Sequence, residues 1–131
     1  MKKDNKGFSL VELIIVIAIM AVLIGILAPQ YLKFVRKSRI STDITNAEEI
    51  ATAINVAISD NELTLPAAGA EKNLTNADIA GISNMPTLQG SKLDNTLDKT
   101  AWTATLDEYG VKEVKLGTTV IWPTPEGDWA N

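Results

Sequence analysis

The arrangement in this sequence that most calls for a chemical explanation is a lone carboxylate. Glu12 is the single charged residue between Phe8 and Ala28, a stretch of 21 residues of which 18 are hydrophobic. A carboxylate near the middle of an apolar layer costs roughly 2.5–3.5 kcal/mol on insertion scales, so an acid in such a place normally has a cationic partner. Its chemistry is pairing rather than proton transfer. The chain has no Cys and no His, which removes disulfides, thiolate metal sites and the commonest general base. There is no Gly-rich phosphate loop, no metal-ligand cluster and no nucleophile–base pair. Aspartates are scattered through residues 61–131, but none follows the spacing of a calcium loop. Leu65-Pro66-Ala67-Ala68-Gly69 is similar to a sortase signal but lacks its Thr and a following hydrophobic tail. Asn73-Leu74-Thr75 fits a glycosylation acceptor, which has meaning only in a eukaryotic secretory context. The sequence therefore predicts no enzyme, no cofactor and no metal site.

The element that carries Glu12 is long. As a helix, residues 8–28 would reach about 31 Å, close to the hydrocarbon thickness of a bilayer. A core helix should show a polar stripe, and here only Ser9 and Glu12 interrupt the front of the run. A secretory signal peptide would place small residues before its cleavage point, whereas this run ends Ile26-Leu27-Ala28-Pro29. Basic residues flank it on both sides, Lys2, Lys3 and Lys6 before and Lys33, Arg36, Lys37 and Arg39 after, so the positive-inside rule gives no clear orientation. From residue 40 onward there are 5 basic and 14 acidic side chains. So acidic a body is unsuited to phosphate neutralisation, and no specific nucleic-acid partner is evident. The basic collar at 33–39 suits lipid headgroups or an acidic surface on a neighbour.

Lys6-Gly7-Phe8-Ser9-Leu10-Val11-Glu12-Leu13 resembles the N-terminus of type IV pilins and pseudopilins: a short basic leader ending in Gly, then Phe, then Glu as the fifth residue after Gly, then an unbroken apolar run. The resemblance extends through Pro29. It implies cleavage between Gly7 and Phe8 by a prepilin peptidase, removal of residues 1–7, and N-methylation of Phe8. It also implies that Glu12 assists assembly by pairing with a neighbouring subunit's N-terminal ammonium. The implied partners are further copies of the chain in a helical filament, the membrane before assembly, and an inner-membrane platform with its ATPases. The implied location is the bacterial cytoplasmic membrane for the precursor and the cell surface for the filament. The retained Glu12 favours a shaft subunit over a tip-initiating one. Many relatives close a C-terminal loop with a Cys pair, which is lacking here.

Beyond the membrane-length segment, Gly25 and Pro29 stand four apart and combine the two poorest helix formers. A proline kink or a turn that melts on packing is expected there. Ile40, Ile44, Ala47, Ala51, Ile54 and Ile58 then form an apolar stripe at helical spacing, with Asp43, Glu48 and Glu49 assigned to the opposite face. The spacing also admits a free coiled coil, although it covers only about two and a half repeats. If continuous, residues 8–60 make a rod of about 80 Å. Residues 61–99 are expected to be loops with one short helix, capped by Thr75 and Asp78 and ended by Gly81. Residues 101–122 predict a three-stranded antiparallel meander, with residues 123–131 as a tail. Trp102, Val114, Leu116, Val120 and Trp122 are the expected core of this head, which must pack on the helix because so small a sheet is marginal alone. The expected fold is thus α+β, a long N-terminal helix against a small sheet. The leading expectation for function is a filament subunit. The alternatives are a pseudopilin of a type II secretion or DNA-uptake system, and a membrane-anchored binding module that never polymerises.

Overall fold

A computed structural model describes residues 7–130. Helix α1 (Leu10–Ser59) is followed by strand β1 (Lys72–Leu74), helix α2 (Asn76–Ala80) and strands β2 (Trp102–Asp107), β3 (Gly110–Leu116) and β4 (Thr119–Trp122). Single 3-10 turns at Lys99–Ala101 and Gly127–Ala130 precede and follow the last three strands. The chain forms two compact units, Met1–Val35 and Arg36–Asn131. In the second, the C-terminal part of α1 packs against one antiparallel sheet of order β1-β2-β3-β4.

The sheet has four strands where the sequence predicts three. β1 lies inside the stretch expected to be loop, and it pairs Leu74 with Ala104 and Lys72 with Leu106. With the sequence Lys-Asn-Leu it offers no alternation to read, and tertiary packing selects it: Leu74 is buried, and Thr105 Oγ1 bonds Asn73 Oδ1 at 2.8 Å. The other strands form where expected. Trp102, Ala104 and Leu106 alternate inward along β2, and Val114 and Leu116 follow on β3. β4 departs in phase. A bulge between Val114 and Lys115 pairs Val114 with Trp122 and Lys115 with Val120, so Ile121 is the extra residue. Ile121 is fully buried while Val120 stands opposite Lys115 and is only half-buried, so Ile121 replaces Val120 as the core residue of this strand. Trp122 borders the core.

On α1 the buried positions are Ile40, Asp43, Ala47, Ile50, Ala51, Ile54 and Ala57, with Ile44 and Ile58 packed at the edge. The apolar stripe is therefore as expected, but Asp43 is not on the opposite face. It is completely buried and accepts four hydrogen bonds. The Ser91 hydroxyl (2.8 Å), the Leu93 N–H (3.1 Å) and the Trp129 indole N–H (2.7 Å) donate to Oδ2, and the Lys92 N–H (2.7 Å) donates to Oδ1. A buried charge is tolerated when its lone pairs are filled in this way. The donors come from the 91–93 loop and the 127–130 turn, which the carboxylate ties to the helix. Trp129, assigned by sequence to a tail, is buried as a result.

The short helix α2 is capped as expected: the Thr75 N–H and hydroxyl both donate to Asp78 Oδ2, at 2.9 and 2.8 Å. Asp94 and Asp98 each accept bonds from the residue two positions on, Thr96 and Thr100. These bonds hold all three carboxyls below their ordinary value of 3.8, through the Thr75 N–H for Asp78 and chiefly the threonine hydroxyls for the others. Their stabilisation is present above pH 3.8 and is lost as pH falls through the lower folded values. Protection of the amides of Asn76–Ala80, Thr96 and Thr100, taken relative to their intrinsic exchange rates, is accordingly expected to fall as the pH drops below 3.8. For Asp43→Ala, which strands two backbone N–H groups, a hydroxyl and an indole N–H, we expect a loss of about 3 kcal/mol or more in denaturant unfolding. Tryptophan emission should shift to longer wavelength as Trp129 meets water.

Candidate functional site

The first unit is built from residues with nothing to pack on. From Gly7 to Phe34 no side chain is buried, and the large apolar residues from Phe8 to Leu27 are about half exposed or more. Among the described residues, α1 alone supplies a stretch long and apolar enough to cross a membrane, with a mean hydropathy of 3.1 in its best window. A surface this apolar requires lipid or other helices around it. The basic residues Lys2, Lys3 and Lys6 lie outside the described residues.

Gly7 is exposed, and a Cβ added there would meet nothing within 4 Å. Nothing in the fold therefore requires glycine at this position. Phe8 follows at 81% exposure.

The helix begins at Leu10 with Ser9 as its cap, and Glu12 is the third helical residue. The Glu12 N–H donates to Ser9 Oγ at 3.2 Å, and the Ser9 N–H donates to Glu12 Oε2 at 3.0 Å. This is a reciprocal capping box, which fills two donors that a helix start leaves unpaired. In an apolar layer those donors are costly to leave open. Glu12 also sits at the positive end of the helix macrodipole. The sequence reading favours an external partner for Glu12, and the signal for the local one is the Ser-x-x-Glu spacing at 9–12. The second carboxylate oxygen, Oε1, has no hydrogen-bond partner among the described residues and remains open to an external cation.

α1 continues without interruption through Gly25 and Pro29. Pro29 has no N–H to give the Gly25 carbonyl, so one rung of the helix ladder is missing there. In the collar, Arg36 Nη2 reaches Asp128 Oδ1 at 3.3 Å. Lys33, Lys37 and Arg39 are exposed and make no ion pair among the described residues.

A family model described as the prokaryotic N-terminal methylation motif matches residues 2–28. The chain is 33% identical over 98 residues to a type IV major fimbrial protein FimA of Dichelobacter nodosus, covering 75% of this chain and 58% of that protein. Another FimA of the same species is 37% identical over 62 residues, or 47% of this chain and 40% of the relative. A fimbrial protein of Pseudomonas aeruginosa is 27% identical across 97% of this chain and 84% of its own length. The chain thus spans about half the length of the FimA relatives it matches. No solved structure matches it. With the methylation motif on the apolar helix, fimbrial proteins as its relatives, and a long helix packed on a small antiparallel sheet, the chain belongs to the type IV pilin family.

Proposed function

We propose that this chain is the precursor of a structural filament subunit, cut after Gly7 and polymerised through the apolar part of α1. The observation that carries the reading is the exposed run from Phe8 to Leu27, which holds one acid set at the capped start of the helix. Before assembly the run lies in the cytoplasmic membrane. In the filament its surroundings become the same segment of neighbouring copies, and the solvent-free environment is kept. Cleavage by a prepilin peptidase removes three Lys and one Asp with residues 1–7 and creates an ammonium group on Phe8. N-methylation leaves that group cationic. Glu12 is its counter-ion on the neighbouring copy, through the oxygen that the capping box leaves open. An acid and an ammonium are each unfavourable in hydrocarbon and attract strongly there. The energy for extension comes from the ATPases of an assembly platform.

Surface filaments sheared from cells that make this chain should contain it with Phe8 as the first residue. Gly7→Val is expected to leave full-length precursor in the membrane and no filaments. Because open space surrounds Gly7, that loss would lie with the peptidase rather than with folding. Glu12→Ala and Glu12→Gln separate the two roles of the acid. Glutamine retains the capping box, whereas alanine also loses the cap, worth about 1 kcal/mol of helix stability. If charge pairing drives assembly, both variants are processed and neither yields filaments. Normal filament yield from Glu12→Gln would show that the cap, not the charge, is what matters.

A further inference from the structure

Between α1 and the loop after α2 runs a groove of about 470 Å³. Its α1 wall carries Glu48 and Glu49 toward one end and Ala53 and Val56 toward the other, and its second wall is the Ser83–Pro86 loop. That loop is fixed in place. Its Ser83 N–H donates to Glu62 Oε2 at 3.0 Å, the Met85 N–H donates to the Ile82 carbonyl, and Asn84 turns the chain with φ of 62°. The groove is therefore preformed, with an acidic end and an apolar end. Glu48 and Glu49 are exposed and make no ion pair among the described residues, and Val56 is 46% exposed.

Matching chemistry lies on the collar. Lys33 and Lys37 stand one helical turn apart with Phe34 beside them, and Phe34 is 74% exposed. Arg36 of the same stretch is engaged by Asp128, so the cations left for an outside partner are Lys33, Lys37 and Arg39. We propose that the groove of one copy receives the 33–37 stretch of a second copy, with Lys33 and Lys37 against Glu48 and Glu49 and Phe34 over Val56 and Ala53. The inference rests on the filament reading above and names one of its contacts. Groove and stretch are different surfaces of the same chain. Such a contact is not self-complementary, so repeating it builds an open helical array instead of a closed dimer.

Charge reversal tests the contact in sheared filaments from cells making the full chain, normalised to the amount of processed subunit in the membrane. Glu48→Lys with Glu49→Lys, and separately Lys33→Glu with Lys37→Glu, should each lower filament yield by about tenfold or more, since like charges then face each other. Combining all four should restore most of the yield, as expected of a direct pair. The chain has no cysteine, so Lys37→Cys with Glu48→Cys provides a second measurement. Eleven residues along one helix set these positions about 16 Å apart, beyond the reach of a disulfide within the chain. Oxidised filaments of the double variant should give a ladder of linked copies, and neither single variant should. No recovery in the fourfold variant, or no ladder, overturns the inference, including the case where lipid headgroups alone use the collar. Absence of filaments from the unaltered chain overturns the filament reading and this contact with it.

Discussion

The Arg36–Asn131 unit depends on one buried carboxylate. Sheet, helix and loops could each bury apolar surface, but an apolar stripe alone does not fix which loop lies where. Asp43 does so because a buried charge has strict demands: its lone pairs must be filled, by donors arriving from defined directions. Three segments far apart in sequence supply them, the helix with the acid, the 91–93 loop with two N–H groups and a hydroxyl, and the turn bearing Trp129. Ser91 extends the network by accepting the Asp94 N–H at 2.9 Å. The irregular stretch before β2 is held by these polar bonds together with the Trp102 indole N–H, which donates to the Gln89 carbonyl.

This explains which parts of the fold were legible in the sequence. Local rules sufficed for the apolar run, for the Thr75–Asp78 cap and for the three long strands, because each is written in neighbouring residues. Asp43 was misplaced because a charge on an amphipathic helix is assigned to water by default, and nothing near it in sequence reveals donors 48 to 86 positions away. β1 was missed for a related reason, since a three-residue strand with one apolar side chain exists only through its partner. Val120 and Ile121 exchanged roles because a bulge shifts the alternation by one residue, and alternation is all a sequence can show. In the N-terminal segment the position of Glu12 was legible, but its capping partnership with Ser9 was overlooked in favour of a remote one.

The capping bonds of Glu12 and the proposed pairing with an external cation are compatible, and together they would restrict the residue more than either alone. Oε2 is committed to the Ser9 N–H, which orients the carboxylate and leaves Oε1 without a hydrogen-bond partner among the described residues. A side chain fixed by its own helix start loses less rotamer freedom when a cation arrives. The same bonds remove the cost of unpaired N–H groups at a helix end that borders hydrocarbon. Glutamine reaches the Ser9 N–H but offers no charge. Charge is therefore what separates glutamate from glutamine at this position.

The lack of cysteine acquires a physical meaning in the same way. A C-terminal segment closed by a disulfide is held by a bond that depends on the redox state of its surroundings. Here the 127–130 turn is held by Trp129 on Asp43, and by the exposed pair of Asp128 with Arg36. The second contact is a surface ion pair and adds little stability. The first is buried and charge-assisted, and therefore carries most of the restraint. Closure by hydrogen bonds forms together with the core rather than after it, and needs no oxidant. It also links the turn to the helix directly, since Asp43 lies on α1. Any movement of the turn must therefore disturb the helix packing, whereas a disulfide between two loops would leave the helix free to shift beneath them.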